Sequence, residues 1–175
     1  MDVLIAVDLQ KDFVTGALGT EEARAIVPAA AARVAVAAER GETILFTRDT
    51  HETDYLSTQE GQNLPVPHCV RGTEGWEIIP ELAPYTAGRT VVDKPTFGSP
   101  KLGELLRELQ TREPIGKITL IGLCTDICVI SNALLAKAFL PEVPVVVESG
   151  CCAGVTPESH ANALAAMRMC QIKVV

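Results

Sequence analysis

The sequence predicts an α/β protein with a doubly wound, mostly parallel sheet of six strands and helices on both faces. Short β-branched runs alternate with longer helical segments, an order typical of parallel sheets with crossover helices. The runs are largely apolar, as expected of strands covered on both faces. Ser99 before Pro100 and Thr156 before Pro157 each combine a helix N-cap with proline at the first helical position.

The elements follow one another without repeats or linkers. The predicted strands are residues 3–7, 43–47, 90–92, 118–121, 145–147 and 172–175. The predicted helices are residues 21–40, 101–110, 126–139 and 157–169. Pro144 precedes the fifth strand, where a missing backbone donor is tolerated. A chain of 175 residues can bury one substantial core, so we expect a single domain spanning residues 1–175.

Composition excludes several classes of partner. The net charge is −7 and no basic block occurs, which argues against nucleic acid and anionic membrane. No apolar run approaches the roughly 18 residues that span a bilayer. The stretch "MDVLIAVDLQ" begins directly as a strand without a basic n-region, and six cysteines in such a chain favour reduced thiols. We therefore expect a cytoplasmic protein.

Residues 48–85 lack any clear periodicity. Long irregular segments in compact domains are commonly functional, and this one holds two of the three histidines and the only tryptophan. We therefore expect it to contribute to a site.

Chemically active side chains follow four of the predicted strands. They are, in chain order, Asp8, Asp49 with His51, Lys94, and Cys124 with Cys128. Ligands in open α/β sheets bind beyond the carboxyl ends of the strands. The sequence thus predicts that a carboxylate, a carboxylate–imidazole pair, an amine and a thiol converge at one edge.

Cys128 is the candidate nucleophile. In the first turn of a helix and near a lysine, its thiol pKa would fall below the reference of about 8.5. Asp8 could take the thiol proton and return it to a leaving amine, while Lys94 holds both groups. The alternatives are a small buried hydrophobic residue at position 128 and a solvated Asp8–Lys94 ion pair.

Five motifs in this order resemble the isochorismatase-like cysteine hydrolases, and among them the nicotinamidase-related members: "DLQKDF", "RDTH", "PHCVRGT", "DKP" and "GLCTDICV". The resemblance covers essentially the whole chain. It implies a Rossmann-like, three-layer fold and a catalytic triad of Asp8, Lys94 and Cys128. It also implies a cis peptide bond between Leu123 and Cys124, with the amides of Cys124 and Cys128 facing a developing oxyanion.

The histidines suggest a metal site. Asp49, His51 and His68 form a ligand set that suits zinc, iron or manganese. The resemblance to nicotinamidases favours a divalent metal beside the triad, with zinc the first expectation. His160 has no partner in this pattern and is interpreted as a surface residue.

Two positions depart from the nicotinamidase pattern. Tyr55 stands where a further histidine often occurs, and Pro65 stands where a tryptophan commonly stacks on the pyridine ring. Phe13 matches an aromatic residue of the family's substrate pocket, and Phe97 is a second candidate. Fewer stacking surfaces weaken the case for nicotinamide itself but leave the amidase chemistry unaffected.

The leading hypothesis is a hydrolase that cleaves the C–N bond of a small amide through a thioester, releasing ammonia. One alternative is an isochorismatase-type hydrolase of another small metabolite, although members acting on vinyl ethers lack the cysteine. Another is a non-catalytic small-molecule-binding module, and a weaker one is redox sensing through Cys124 and Cys128. Relatives assemble as dimers or larger oligomers, so we expect a homo-oligomer.

Overall fold

A six-stranded sheet forms the middle layer of the molecule. The computed structural model describes residues 1–175. The strands are β1 Asp2–Val7, β2 Thr43–Asp49, β3 Thr90–Lys94, β4 Lys117–Leu123, β5 Val145–Ala153 and β6 Lys173–Val174. They lie in the order β3-β2-β1-β4-β5-β6, and every pairing is parallel. The chain switches direction across the sheet between β1 and β4, which is where open α/β sheets form their crevice.

Helices cover both faces of the sheet. They are α1 Lys11–Val14, α2 Glu21–Glu39, α3 Gln59–Asn63, α4 Pro100–Arg112, α5 Ile130–Phe139 and α6 Pro157–Met169. One core layer joins the sheet to α2 and includes Leu4; the other joins it to α4, α5 and α6 and includes Ile5. Successive strand residues point to opposite faces, so a sheet covered on both sides needs uninterrupted apolar runs. No helix is sufficiently long and apolar to cross a bilayer.

The predicted α/β fold is confirmed, with local differences. The sheet is wholly rather than mostly parallel, and the helix predicted from residue 126 begins with a π-helical turn, Thr125–Val129. Both predicted caps form, since Ser99 Oγ accepts from the Leu102 amide at 3.2 Å and Thr156 Oγ1 accepts from the Ser159 amide at 3.0 Å. The segment 48–85 contains α3 and three short 3-10 turns.

The ends of β1 and β4 approach each other closely. Gly122 has a φ of +118°, and a side chain there would collide with the carbonyl oxygen of Val7. Only glycine meets both requirements. The close approach places Asp8, which follows β1, beside the turn that follows β4.

Candidate active site

Asp8, Lys94 and Cys128 lie together at the carboxyl edge of the sheet. Lys94 Nζ is 2.7 Å from Asp8 Oδ2 and donates to Cys128 Sγ at 3.2 Å. Asp8 and Lys94 are both 0% exposed, so this is not the solvated ion pair of the alternative reading. Thr47 Oγ1 donates to Asp8 Oδ1 at 2.6 Å, so Thr47 contacts one carboxylate oxygen and Lys94 the other. Each carboxylate oxygen has two lone pairs, so Oδ2 can accept a proton beside its contact with Lys94.

Burial controls the ionisation of the three groups. Burial, followed by the negative charge of Asp8, raises the pKa of the Cys128 thiol well above its usual value, and Lys94 opposes this only in part. The expectation of a lowered pKa at Cys128 is therefore wrong. Burial also raises the pKa of Asp8. At Lys94 burial disfavours the ammonium, but attraction to Asp8 and its other anionic neighbours outweighs it and raises the pKa. The resting site thus holds the Lys94 ammonium beside a neutral Cys128 thiol.

The turn after β4 carries Cys124 and Cys128. The Leu123–Cys124 peptide bond is cis, and the Cys124 amide donates no hydrogen bond within the protein. The following turn is π-helical, a geometry that recurs at functional sites. Burial raises the pKa of the Cys124 thiol to about 12, which fits a residue that contributes its backbone.

His160 contacts this turn. Its Nδ1 lies 2.8 Å from Thr125 Oγ1, and Thr125 is fully buried. His160 itself is half-buried, so it lies at the surface and also contacts this turn. Nothing in the sequence links residues 125 and 160, because the contact depends on how α6 packs against the turn.

A second cluster, the four-residue group Asp49, His51, Glu60 and His68, lies next to Lys94. One ligand atom from each residue falls within 4.8 Å of all the others. Asp49 Oδ2 is 3.0 Å from His51 Nε2 and 3.4 Å from His68 Nε2, and Asp49 Oδ1 accepts from Lys94 Nζ at 3.4 Å. The structure thus brings together the three predicted ligands and adds Glu60.

Backbone contacts hold the four-residue group in place. The Gln10 side chain donates to the Asp49 carbonyl at 2.9 Å and accepts from the Asp49 amide at 2.7 Å. The amide of His51 donates to the Cys69 carbonyl at 3.0 Å, which aligns the two histidine segments. His68 Nδ1 lies 2.8 Å from the Val66 carbonyl oxygen. When Nδ1 donates to this carbonyl, the other ring nitrogen, Nε2, is free to face the four-residue group.

Glu60 escaped the sequence reasoning because it lies in α3, a helix of five residues inside a segment without periodicity. Burial raises the pKa of its carboxyl group, as expected of an acid held beside Asp49. Tyr55, at the position where the resemblance implied a further histidine, is buried against both imidazoles, with ring centroids 4.6 Å from His51 and 5.1 Å from His68. Its hydroxyl donates to the Leu64 carbonyl, so Tyr55 packs the group from outside.

A cavity of about 1080 Å³ joins the two clusters. Its wall includes Cys128, the four-residue group and both aromatic candidates, Phe13 and Phe97. Phe13 is 9% exposed and packs edge-on against His68, whereas Phe97 is 46% exposed at the rim. Trp76 is not part of the wall: its indole donates to Thr50 and stacks under the guanidinium of Arg48 at 3.6 Å.

These features place the protein in a class of small α/β hydrolases with a buried cysteine beside a carboxylate and an amine. The chain matches the family model for the isochorismatase domain over residues 2–175, and it belongs to the isochorismatase family.

Three relatives illustrate the likeness. The uncharacterized isochorismatase family protein PncA of Bacillus subtilis strain 168 is 29% identical over 170 residues, covering 92% of this chain and 91% of the relative. The crystal structure of nicotinamidase PncA from Bacillus subtilis has a TM-score of 0.85 at 28% identity, covering 99% of this chain and 98% of that one. The pyrazinamidase of Pyrococcus horikoshii in complex with zinc has a TM-score of 0.83 at 28% identity, with the same coverage.

Proposed function

We propose that the protein is a nicotinamidase-like amidohydrolase that cleaves the C–N bond of a small amide and releases ammonia. The observation that carries the proposal is the buried contact of Lys94 with both Asp8 and Cys128, at 2.7 and 3.2 Å. Similarity to a nicotinamidase and a pyrazinamidase over nearly the whole chain supports the reaction class.

The first half-reaction forms a thioester. The Cys128 thiol gives its proton to Asp8 as Sγ attacks the carbonyl carbon. The Lys94 ammonium stabilises the negative charge that develops on the sulfur during this transfer. The amides of Cys124 and Cys128 donate to the oxyanion. Collapse of this intermediate breaks the C–N bond, and Asp8 returns the proton to the nitrogen, which leaves as ammonia.

The second half-reaction consumes water. Asp8 takes a proton from a water molecule as its oxygen attacks the thioester carbon. The C–S bond then breaks, the carboxylic acid leaves, and the proton on Asp8 returns to the sulfur. A carboxyl group with a raised pKa and a thiol that is neutral at rest suit this exchange, because one proton shuttles between them.

We further propose that Asp49, His51, Glu60 and His68 hold a divalent metal. Two imidazoles and two carboxylates fit zinc, with iron and manganese also compatible. The buried carboxylate of Asp49, the partly buried carboxylate of Glu60 and the fixed orientation of His68 suit a cation, and a zinc complex is known for the related pyrazinamidase. A divalent ion held by these four residues would supply Lewis-acid chemistry in the cavity that Cys128 also lines.

The proposed substrate is a small amide with an apolar body. Phe13 and Phe97 offer aromatic surfaces on the cavity wall, and nicotinamide is one candidate. We also propose a cytoplasmic, homo-oligomeric enzyme. All six cysteines are free thiols, which suits a reducing compartment.

Ammonia release from a panel of small primary amides, nicotinamide included, tests the proposal. We expect Cys128→Ala to lower kcat/KM by roughly 10³-fold or more. Cys124→Ala is the matched control, since it removes a neighbouring thiol on the same cavity wall while keeping the backbone amide, and we expect activity close to wild type.

Full hydrolysis by Cys128→Ala would reject the mechanism. Tight binding of an amide without turnover by the wild-type protein would instead favour a non-catalytic binding module. Hydrolysis of a vinyl ether with no amide turnover would favour an isochorismatase-type reaction.

A further inference from the structure

Asn132 is a fully buried polar residue in α5 that the proposed chemistry does not use. Asparagine is a poor choice inside a helix, because its side chain competes for backbone hydrogen bonds. A buried amide is also unfavourable unless its donors and acceptor are paired. At Asn132, which is 0% exposed, pairing is extensive, and the partners lie on two different segments.

The Asn132 side chain bridges the loop after β3 to the turn after β4. Its Oδ1 accepts from the Ser99 amide at 2.9 Å, and its Nδ2 donates to the Phe97 carbonyl at 3.0 Å and the Cys128 carbonyl at 2.8 Å. The loop directly follows Lys94, the last residue of β3, and the turn carries the thiol. One side chain therefore ties together the segments that hold two members of the proposed triad.

Neighbouring contacts give the bridge a defined geometry. Lys94 Nζ donates back to the Thr96 carbonyl at 3.2 Å, which connects the amine to the loop that Asn132 holds. At Gly98 a Cβ would lie 2.7 Å from Leu135 Cδ1 and 3.3 Å from Ser131 Cβ, so the loop packs directly on α5. The loop thus contacts α5 at two points, one polar and one apolar.

We infer that Asn132 is a positioning residue that sets the separation of Lys94 and Cys128 and presents Phe97 to the cavity. The inference rests on the proposed function for its effect on turnover, although the geometry it describes is independent of any substrate. Asn132 touches neither the amine nor the thiol, and it acts through the backbone of the two segments that carry them.

Two substitutions separate a bridging role from a local one. Asn132→Leu is close in shape and removes all three hydrogen bonds. Asn132→Ser can still donate to the carbonyl four residues earlier, that of Cys128, but it is too short to reach the loop. Leu106→Ala on α4 is the control, because it opens a cavity in the same core layer without removing any of the three hydrogen bonds of Asn132.

We expect both Asn132 variants to fold and to lose between about tenfold and 10²-fold in kcat, as a misplaced catalytic group does, with KM little changed. Leu106→Ala should lose thermal stability but keep kcat near wild type. A wild-type kcat in Asn132→Ser would overturn the inference. So would a kcat that falls in proportion to the loss of thermal stability in all three variants, Leu106→Ala included.

A second readout needs no substrate. We expect the rate at which iodoacetamide alkylates Cys128 to change at least about threefold in both Asn132 variants, since the thiol would shift relative to Lys94. The rate should be unchanged in Leu106→Ala. Absent amide turnover in the wild type would defeat the proposed function alone, whereas unchanged alkylation in both Asn132 variants would defeat the positioning role.

Discussion

Removal of the Lys94 charge should destabilise the protein strongly. Lys94→Met keeps most of the side-chain volume but leaves the carboxylates of Asp8 and Asp49, 2.7 and 3.4 Å from the ammonium, without their cation. At an effective dielectric constant of about 20 these distances correspond to attractions of about 6 and 5 kcal/mol. The desolvation of three buried charges offsets part of this attraction. Broken buried ion pairs typically cost about 3–5 kcal/mol, and we expect a loss in that range.

The assay is denaturant unfolding at neutral pH with a chelator present, so that no metal compensates for the missing charge. The double variant Asp8→Asn with Lys94→Met also removes one of the carboxylates left without its cation. We expect its free energy of unfolding to be about 2–3 kcal/mol higher than the sum of the two single-variant losses predicts. If Lys94→Met cost less than about 1 kcal/mol, the value of an exposed pair, Lys94 would not be a buried partner of these carboxylates.

Three further predictions concern Glu60, Asp8 and Thr119. Glu60→Gln should weaken zinc binding about tenfold or more in a competition titration. Glu52→Gln is the control, because Glu52 lies on the cavity wall but outside the four-residue group, and it should bind zinc normally. Equal zinc affinities of the two variants would exclude Glu60 as a ligand. Asp8 must be ionised to take a proton, and burial raises its pKa above the ordinary 3.8. We therefore expect kcat/KM to fall as the pH is lowered, with a midpoint above pH 3.8. Full activity down to pH 3.8, in samples that recover their activity at neutral pH, would contradict this role. The Thr119 hydroxyl is buried without a partner, so Thr119→Val should leave unfolding free energy unchanged or raise it by up to about 1 kcal/mol, and a clear loss in calorimetry would mean that the hydroxyl is paired.

The sequence predicted the fold well because strand identity depends on local pattern. Residues 3–7 of β1, for example, are apolar at every position, and both faces of this strand are buried, against α2 on one side and the layer of α4, α5 and α6 on the other. The convergence of Asp8, Lys94 and Cys128 followed from one rule of parallel sheets, that carboxyl ends share an edge. Asp49 was found in the same way.

Features that depend on packing were not predictable. Glu60 lies in a five-residue helix whose position is set by contacts with Tyr55 and the histidines. The contact of His160 with Thr125 joins elements 35 residues apart. The predicted direction of the pKa shift at Cys128 was wrong. The helix dipole and the nearby lysine can be inferred from the sequence, but the burial of the thiol, which outweighs both effects, cannot.

The most direct measurement is mass spectrometry of the protein acid-quenched during turnover of a slowly hydrolysed amide. If the sulfur of Cys128 attacks the carbonyl carbon, the protein gains the mass of the acyl group, and peptide mapping locates this group on residue 128. An acyl group on any other residue, or undiminished turnover by Cys128→Ala, would contradict covalent catalysis by this cysteine.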